Sequence, residues 1–158
     1  MGHIIIEGLD KTGKSTLARF LSEKTGMPIK KFSNPGPNED AAVEYIEFLV
    51  TAQPCIVDRM HLSEMAYGPA LRGETMVDER VQAIIEGLLA RRNSVGIYCS
   101  ADIDELKKRF KDDKEDFITP EQISEIEFNF NQALLTSSMK WIRYTVGDDM
   151  EKVYDQVR

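Results

Sequence analysis

Residues 3 to 16 read His-Ile-Ile-Ile-Glu-Gly-Leu-Asp-Lys-Thr-Gly-Lys-Ser-Thr, and no other stretch restricts the fold so tightly. An apolar run of strand character leads into two glycines, Gly8 and Gly13, five positions apart, followed by Lys14 and Ser15. A loop that wraps a phosphate with backbone N–H groups needs glycine wherever a Cβ would block close approach or φ must turn positive. The helix that follows such a loop points its positive end at the same anion. Leu17, Phe20 and Leu21 give that helix an apolar face, and Gly26 is placed to stop it. Strand, loop and helix in this order predict a parallel α/β domain built around a bound phosphate.

The rest of the chain repeats the alternation. Strands are expected at His3–Glu7, Ile29–Phe32, Cys55–Asp58, Ser94–Cys99 and Trp141–Val146. Between them lie helical stripes. Val43, Ile46 and Val50 follow Asn38 as a candidate cap. Val77, Val81, Ile84 and Leu88 follow Thr75 and Asp78. Ile123, Ile126, Phe130 and Leu134 follow the capping box of Thr119, Pro120 and Gln122. No repeat or linker interrupts the 158 residues, so a single domain over 1–158 is expected. Its architecture should be three-layered, with helices on both faces of a five-stranded parallel sheet.

A net charge of -7 counts against a long contact with nucleic acid, without excluding it, and suits a small anionic ligand carried with magnesium. Cys55 and Cys99 sit in apolar runs and read as buried free thiols. Met1 leads almost at once into the loop, so no signal peptide is expected. No apolar run reaches membrane-spanning length, and a cytoplasmic location without a membrane partner is expected.

The chemistry concentrates in three places. In the loop, Lys14 reaches for the β- and γ-phosphates of a donor nucleotide and the Ser15 hydroxyl for Mg2+. Gly8, Asp10, Thr12, Gly13, Lys14, Ser15 and Thr16 form the expected ATP-binding set. Lys11 either neutralises charge on the transferring group or is a solvated lysine on a loop tip. The Asn-Lys-x-Asp motif of GTPases is missing. In the second place, Asp58–Arg59 ends a strand at the carboxyl edge of the sheet, where open α/β folds bind ligands. Arg59 offers a planar fork to an acceptor phosphate. Asp58 can hold a magnesium-bound water, orient Arg59 or act as base toward a hydroxyl acceptor, unless the two only form an ion pair capping the strand. In the third, Lys107, Lys108, Arg109, Lys111 and Lys114 make a basic segment at about 107–118, with Arg109 the leading candidate for the donor phosphates. His61 lacks a partner at catalytic spacing and reads as structural or solvent-facing.

Two of these segments carry a family resemblance. Glu-Gly-Leu-Asp-Lys-Thr-Gly-Lys-Ser-Thr, 7–16, resembles the opening of thymidylate kinases and their deoxynucleoside kinase relatives. Asp58, Arg59, Ser63, Ala66 and Tyr67 are similar to the D-R-x-x-x-S-x-x-A-Y segment of the same family. The resemblance implies a P-loop kinase fold. Asp10 would contact the acceptor's sugar, Lys11 would assist transfer, and Arg59 would bind the acceptor phosphate. Ser63 and Tyr67 would line the nucleoside pocket, and Arg72 would contact phosphate or base. Val146 to Asp148, in "VGDDMEKV", resembles the turn that borders the adenine ring. A homodimer is the assembly such relatives commonly form.

The chain also departs from the family. Where thymidylate kinases carry Arg-Glu-Pro-Gly it reads Ser33-Asn34-Pro35-Gly36, and only 22 residues, Ser33 to Pro54, separate the second and third strands. Phe32 remains as a ring on which a base could stack. The expected reaction is ATP-dependent transfer to a nucleoside monophosphate, with a pyrimidine deoxynucleotide first. A deoxynucleoside kinase, a kinase for a hydroxyl on a nucleic-acid base or end, and a switch without turnover stand beside it. An acceptor phosphate needs no general base. The position near 34 that would supply one holds Asn34, which favours the monophosphate.

Overall fold

A computed structural model describes residues 1–112 and 118–158. Among these residues the strands are β1 (Ile4–Glu7), β2 (Ile29–Lys31), β3 (Ile56–Asp58), β4 (Val95–Ser100) and β5 (Trp141–Thr145). The helices are α1 (Lys14–Thr25), α2 (Ala41–Thr51), α3 (His61–Arg72), α4 (Glu79–Arg91), α5 (Ile103–Asp112), α6 (Pro120–Thr136) and α7 (Met150–Val157). All strand pairs are parallel, in the order β2-β3-β1-β4-β5. The five expected strands are therefore present, in an α/β fold with helices on both faces. No helix among the described residues is long and apolar enough to cross a membrane.

Side-chain alternation divides the core. Ile4 and Ile6 of β1 face Leu17, Ala18 and Leu21 of α1 and Val153 and Val157 of α7. Ile5 faces the opposite layer, where Tyr45 and Leu49 of α2 meet Ile85 and Leu89 of α4. Leu62, Ala66 and Tyr67 of α3 pack against Ile123, Ile126 and Phe130 of α6. Because both faces of the central strands are covered, Ile4, Ile5 and Ile6 are all fully buried. Cys55 and Cys99 are buried free thiols, and burial pushes the Cys99 thiol up to about 12.

Three expectations need correction. Asp40, not Asn38, caps α2, accepting from the Ala42 and Val43 N–H groups at 3.0 and 3.2 Å. The buried face of that helix is Ala41, Tyr45 and Leu49, whereas Val43 and Val50 are exposed. The two stripes are interleaved on one short helix, and packing chose the one carrying a ring. In α4, Asp78 is the cap as expected, but the buried face is Gln82, Ile85, Glu86 and Leu89, and Ile84 is exposed. Of the two readings open for His61, the structural one fits: it is wholly buried, its Nε2 3.1 Å from Glu86 Oε1.

The shift in α4 has a cause. Glu86 accepts from Gln82 Nε2 at 3.2 Å, Ser137 Oγ at 2.7 Å and Ser138 N at 2.6 Å, and meets His61. This polar cluster joins α3, α4 and the segment after α6 behind the sheet. Ser137 Oγ also accepts from Trp141 Nε1 at 2.8 Å. Burial alone would favour a neutral Glu86, but hydrogen bonds from His61, Ser137 and Ser138 outweigh it and hold the carboxyl at about 2. A depressed carboxyl stabilises the fold above its unfolded value near 4.5 and loses that contribution as pH falls toward 2. Acid unfolding should therefore steepen below about pH 4.5, and Glu86→Gln should flatten it by on the order of 2–3 kcal/mol between pH 5 and 2. Urea melts of both proteins at a series of pH values measure the difference. Parallel curves would contradict the assignment.

Candidate active site

The loop between β1 and α1 takes its shape from two glycines. A Cβ on Gly8 would lie 2.2 Å from the Cys99 carbonyl oxygen, because the loop leaves β1 pressed against the end of β4. Gly13 is the left-handed N-cap of α1, φ 82°, and a Cβ there would meet Val146 at 2.9 Å. Inside the loop, Thr12 Oγ1 and Lys14 Nζ both bond the Leu9 carbonyl, at 2.6 and 2.5 Å. Burial lowers the Lys14 pKa, and the charges of Asp58 and Glu7 oppose that shift.

Ser15 and Thr16 stand exposed in the first turn of α1. Ser15 Oγ donates to Asp58 Oδ2 at 3.3 Å, while Asp58 Oδ1 is buried and has no hydrogen-bond partner among the described residues. A hydroxyl beside a carboxylate with a spare oxygen is a donor set of the hard-oxygen kind that Mg2+ takes, directly or through water. The residues present fit that ion.

Arg59 leaves β3 with φ 71°, a left-handed turn that costs a non-glycine residue about 1 kcal/mol or more. Its backbone N–H bonds the Ile6 carbonyl at 2.9 Å. The guanidinium pairs with Asp10 and lies over the Tyr67 ring, 5.3 Å from its centroid. Tyr67 Oη accepts the Asp10 N–H at 2.9 Å. Tyr67 thus props both members of the Asp10–Arg59 pair from below.

Glu7 holds this corner together, and the sequence reading passed it over as the last residue of a strand. It is fully buried, and its carboxylate accepts from Met60 N at 2.9 Å, Leu62 N at 3.0 Å and Ser63 N at 3.2 Å, and from Ser63 Oγ. These are the free N–H groups at the start of α3, so a side chain from β1 caps a helix more than fifty residues on. Burial raises the Glu7 pKa, opposed by His61 and by the Ser63 and Met60 hydrogen bonds. An acid at the carboxyl end of an otherwise apolar central strand was the available signal.

Two cavities meet at Arg59. The larger, about 250 Å³, is lined by Asp10, Lys11, Gly13, Lys14, Ser15, Thr16, Lys31, Asp58 and Arg59. Lys31, paired in register with Asp58 across β2 and β3, adds a cation the sequence reading did not select. The second runs between the β2–α2 segment and α3, and its walls include Phe32, Asn34, Tyr45, Arg59, Ser63 and Glu64. Phe32 is nearly buried, edge-on to Tyr45 and Phe48.

The remaining candidates fall around the rim. Arg109 of α5 bonds the Lys11 carbonyl at 2.8 Å and Glu105 at 3.0 Å, and Lys11 Nζ lies 5.2 Å from the Phe110 centroid. The basic segment therefore touches the loop through α5, and its residue Lys114 lies outside the described residues. Asp148 Oδ2 accepts the Thr145 N–H at 2.8 Å, closing the turn whose Val146 leans on Gly13. Arg72 lines neither cavity and pairs with Glu64.

No family model and no curated sequence matches the chain. Solved structures do. YorR protein from Bacillus subtilis, in complex with phosphorylated GDP, matches at 23% identity over 97% of this chain and 91% of its own, TM-score 0.81. Thymidylate kinase from Candida albicans matches at 21%, covering 98% and 88%, TM-score 0.60. Deoxyadenosine kinase from M. mycoides, with dCMP and a flexible dCDP bound, matches at 17%, covering 98% and 95%, TM-score 0.59. At these identities the likeness establishes a shared P-loop kinase fold.

Proposed function

We propose that the chain is an ATP- and Mg2+-dependent kinase that moves the γ-phosphoryl group of ATP onto a (deoxy)nucleoside monophosphate, first among them a pyrimidine deoxynucleotide. The observation that carries this reading is the position of Arg59, a fixed guanidinium shared by the phosphate-loop cavity and the second cavity. The solved structures give it company: one holds phosphorylated GDP, one is a thymidylate kinase, and one holds dCMP and dCDP.

In this reading the loop N–H groups, the α1 N-terminus and Lys14 hold the donor phosphates, and Val146 to Asp148 border the adenine. Arg59 holds the acceptor phosphate and Asp10 the acceptor sugar. An ionised oxygen of the acceptor phosphate attacks the γ-phosphorus. The bond from that phosphorus to the β–γ bridging oxygen breaks, and ADP leaves with its electron pair. No proton has to be removed. Lys14, Lys11 and Arg109 are placed to neutralise the charge spread over the transferring group. Magnesium, when bound at Ser15 and Asp58, supplies neutralisation of the donor phosphate oxygens.

Arg59→Ala should raise the acceptor KM by about tenfold to a hundredfold, the loss of a charge-assisted bidentate contact, and leave ATP affinity within about twofold. Steady-state kinetics with each substrate varied read both numbers. An unchanged acceptor KM would put the acceptor phosphate elsewhere. A homodimer belongs to the same proposal and is read from the mass in solution.

A second reading has one observation behind it. Glu64 places a carboxylate in the acceptor cavity, and a nucleoside hydroxyl as acceptor would need such a base. Products separate the two: the first makes diphosphates from monophosphates, the second monophosphates from nucleosides.

A further inference from the structure

The acceptor cavity, about 10 Å³ and therefore a cleft that must widen to admit a base, is lined by two residues with polar atoms that the folded chain leaves unused. Tyr45 is 3% exposed, yet its hydroxyl has no hydrogen-bond partner among the described residues and is not sealed from solvent. Glu64 is also 3% exposed. Its Oε1 takes Arg72 and the Met76 N–H, at 3.0 Å from the latter, while Oε2 takes neither and is likewise unsealed. Both residues line the same cavity as Arg59 and Phe32. A ring whose hydroxyl has no partner among the described residues and a carboxylate with one uncommitted oxygen leave two polar atoms available to a ligand.

Resting on the kinase reading above, we propose that Tyr45 and Glu64 recognise the acceptor's base. Glu64 Oε2 takes a ring or exocyclic N–H, and the Tyr45 hydroxyl donates to the acceptor atom beside it. A carboxylate cannot donate, so a base that turns only acceptor atoms toward it sets lone pairs against lone pairs with no proton between them and is refused. Arg72 pairs with Glu64 Oε1 and so fixes where the carboxylate points. Gly68 makes room for that pair, since a Cβ there would lie 2.9 Å from Glu64 Oε1 and 3.0 Å from Arg72 Nη2. Phe32, edge-on to Tyr45 with 5.0 Å between centroids, offers the flat apolar contact a base needs. Tyr45, on α2, lies outside the segments that carry the family resemblance, and Glu64 fills an open position of the Asp58–Tyr67 segment, so the pair is particular to this chain.

The test is kcat/KM for dCMP, dTMP, dGMP and dAMP with the unaltered protein, Tyr45→Phe and Glu64→Gln, alongside their melting temperatures. Tyr45→Phe keeps the ring and its packing. It should raise KM for the best base about tenfold, more than it lowers kcat, and narrow the gap to the next base. Glu64→Gln can donate as well as accept and should reorder the bases. An unchanged ranking in both variants, with turnover retained, overturns the proposal, and Tyr45→Phe alone decides if Glu64→Gln does not fold. Loss of kcat at unchanged KM in Glu64→Gln would also overturn it, making Glu64 a proton acceptor. If the unaltered protein phosphorylates no nucleotide, the kinase reading itself fails and takes this proposal with it.

Discussion

Lys14→Ala is expected to lower ATP-dependent transfer by about a thousandfold or more, with the fold intact. The magnitude follows from removing a preorganised charge from a site where charge builds up in the transition state. Lys14 is 5% exposed, and its ammonium bonds the Leu9 carbonyl. Its deletion therefore unbuckles one loop contact while β1, α1 and their packing stay in place. Its lowered pKa makes the ammonium dependent on neighbouring anions, Asp58 first among them. A nucleotide's phosphates would supply more of the same. Single-turnover transfer measured beside thermal melting checks both halves, and retained turnover would sink the assignment of the loop.

The second large effect is expected far from any phosphate. Glu7→Ala should cost about 3 kcal/mol, because three backbone N–H groups and one hydroxyl at the start of α3 lose their acceptor in a buried place. For a chain of this size that is a fall in Tm of roughly 6–12 °C. The damage should extend to function. Arg59 sits immediately before Met60, whose N–H Glu7 holds, and its left-handed turn persists only while its surroundings enforce it. The variant should therefore raise the acceptor KM while leaving ATP binding near normal, a split that general loosening of the fold would not give. Glu7→Gln keeps one accepting oxygen and should recover part of the loss. Equal weakening of both substrates would show Glu7 to be a packing residue only.

The sequence made the sheet legible because buried parallel strands are short, apolar and evenly spaced between helical stripes. It made the donor side legible because a phosphate loop needs glycine at fixed positions, and Gly8 and Gly13 meet Cys99 and Val146 too closely to be anything else. Asp58 and Arg59 were legible as charges at a strand's carboxyl end. What escaped were contacts between segments distant in the chain. Glu7 capping α3 joins residues more than fifty apart, and the acid at the end of an apolar strand marks Glu7 as unusual without naming its partners. Glu86 and Gln82 turned α4 because their partners, His61 and Ser137, come from other elements. The face of α2 was ambiguous for a different reason: two apolar stripes compete on eleven residues, and only packing decides. The same competition hid Tyr45, and with it one wall of the second cavity. The pairing of Arg72 with Glu64 and the seat of Arg59 on the Tyr67 ring were likewise beyond any local pattern.

The central claim is that Arg59 joins a donor site to an acceptor site for a nucleotide's phosphate. It is tested most directly by incubating the protein with γ-labelled ATP, Mg2+ and a panel of nucleosides, their monophosphates and DNA oligomers, then separating the products. Label is expected in a deoxynucleoside diphosphate, with a pyrimidine monophosphate the best acceptor. Label appearing only on a nucleoside or DNA hydroxyl, or only in free phosphate, would contradict it.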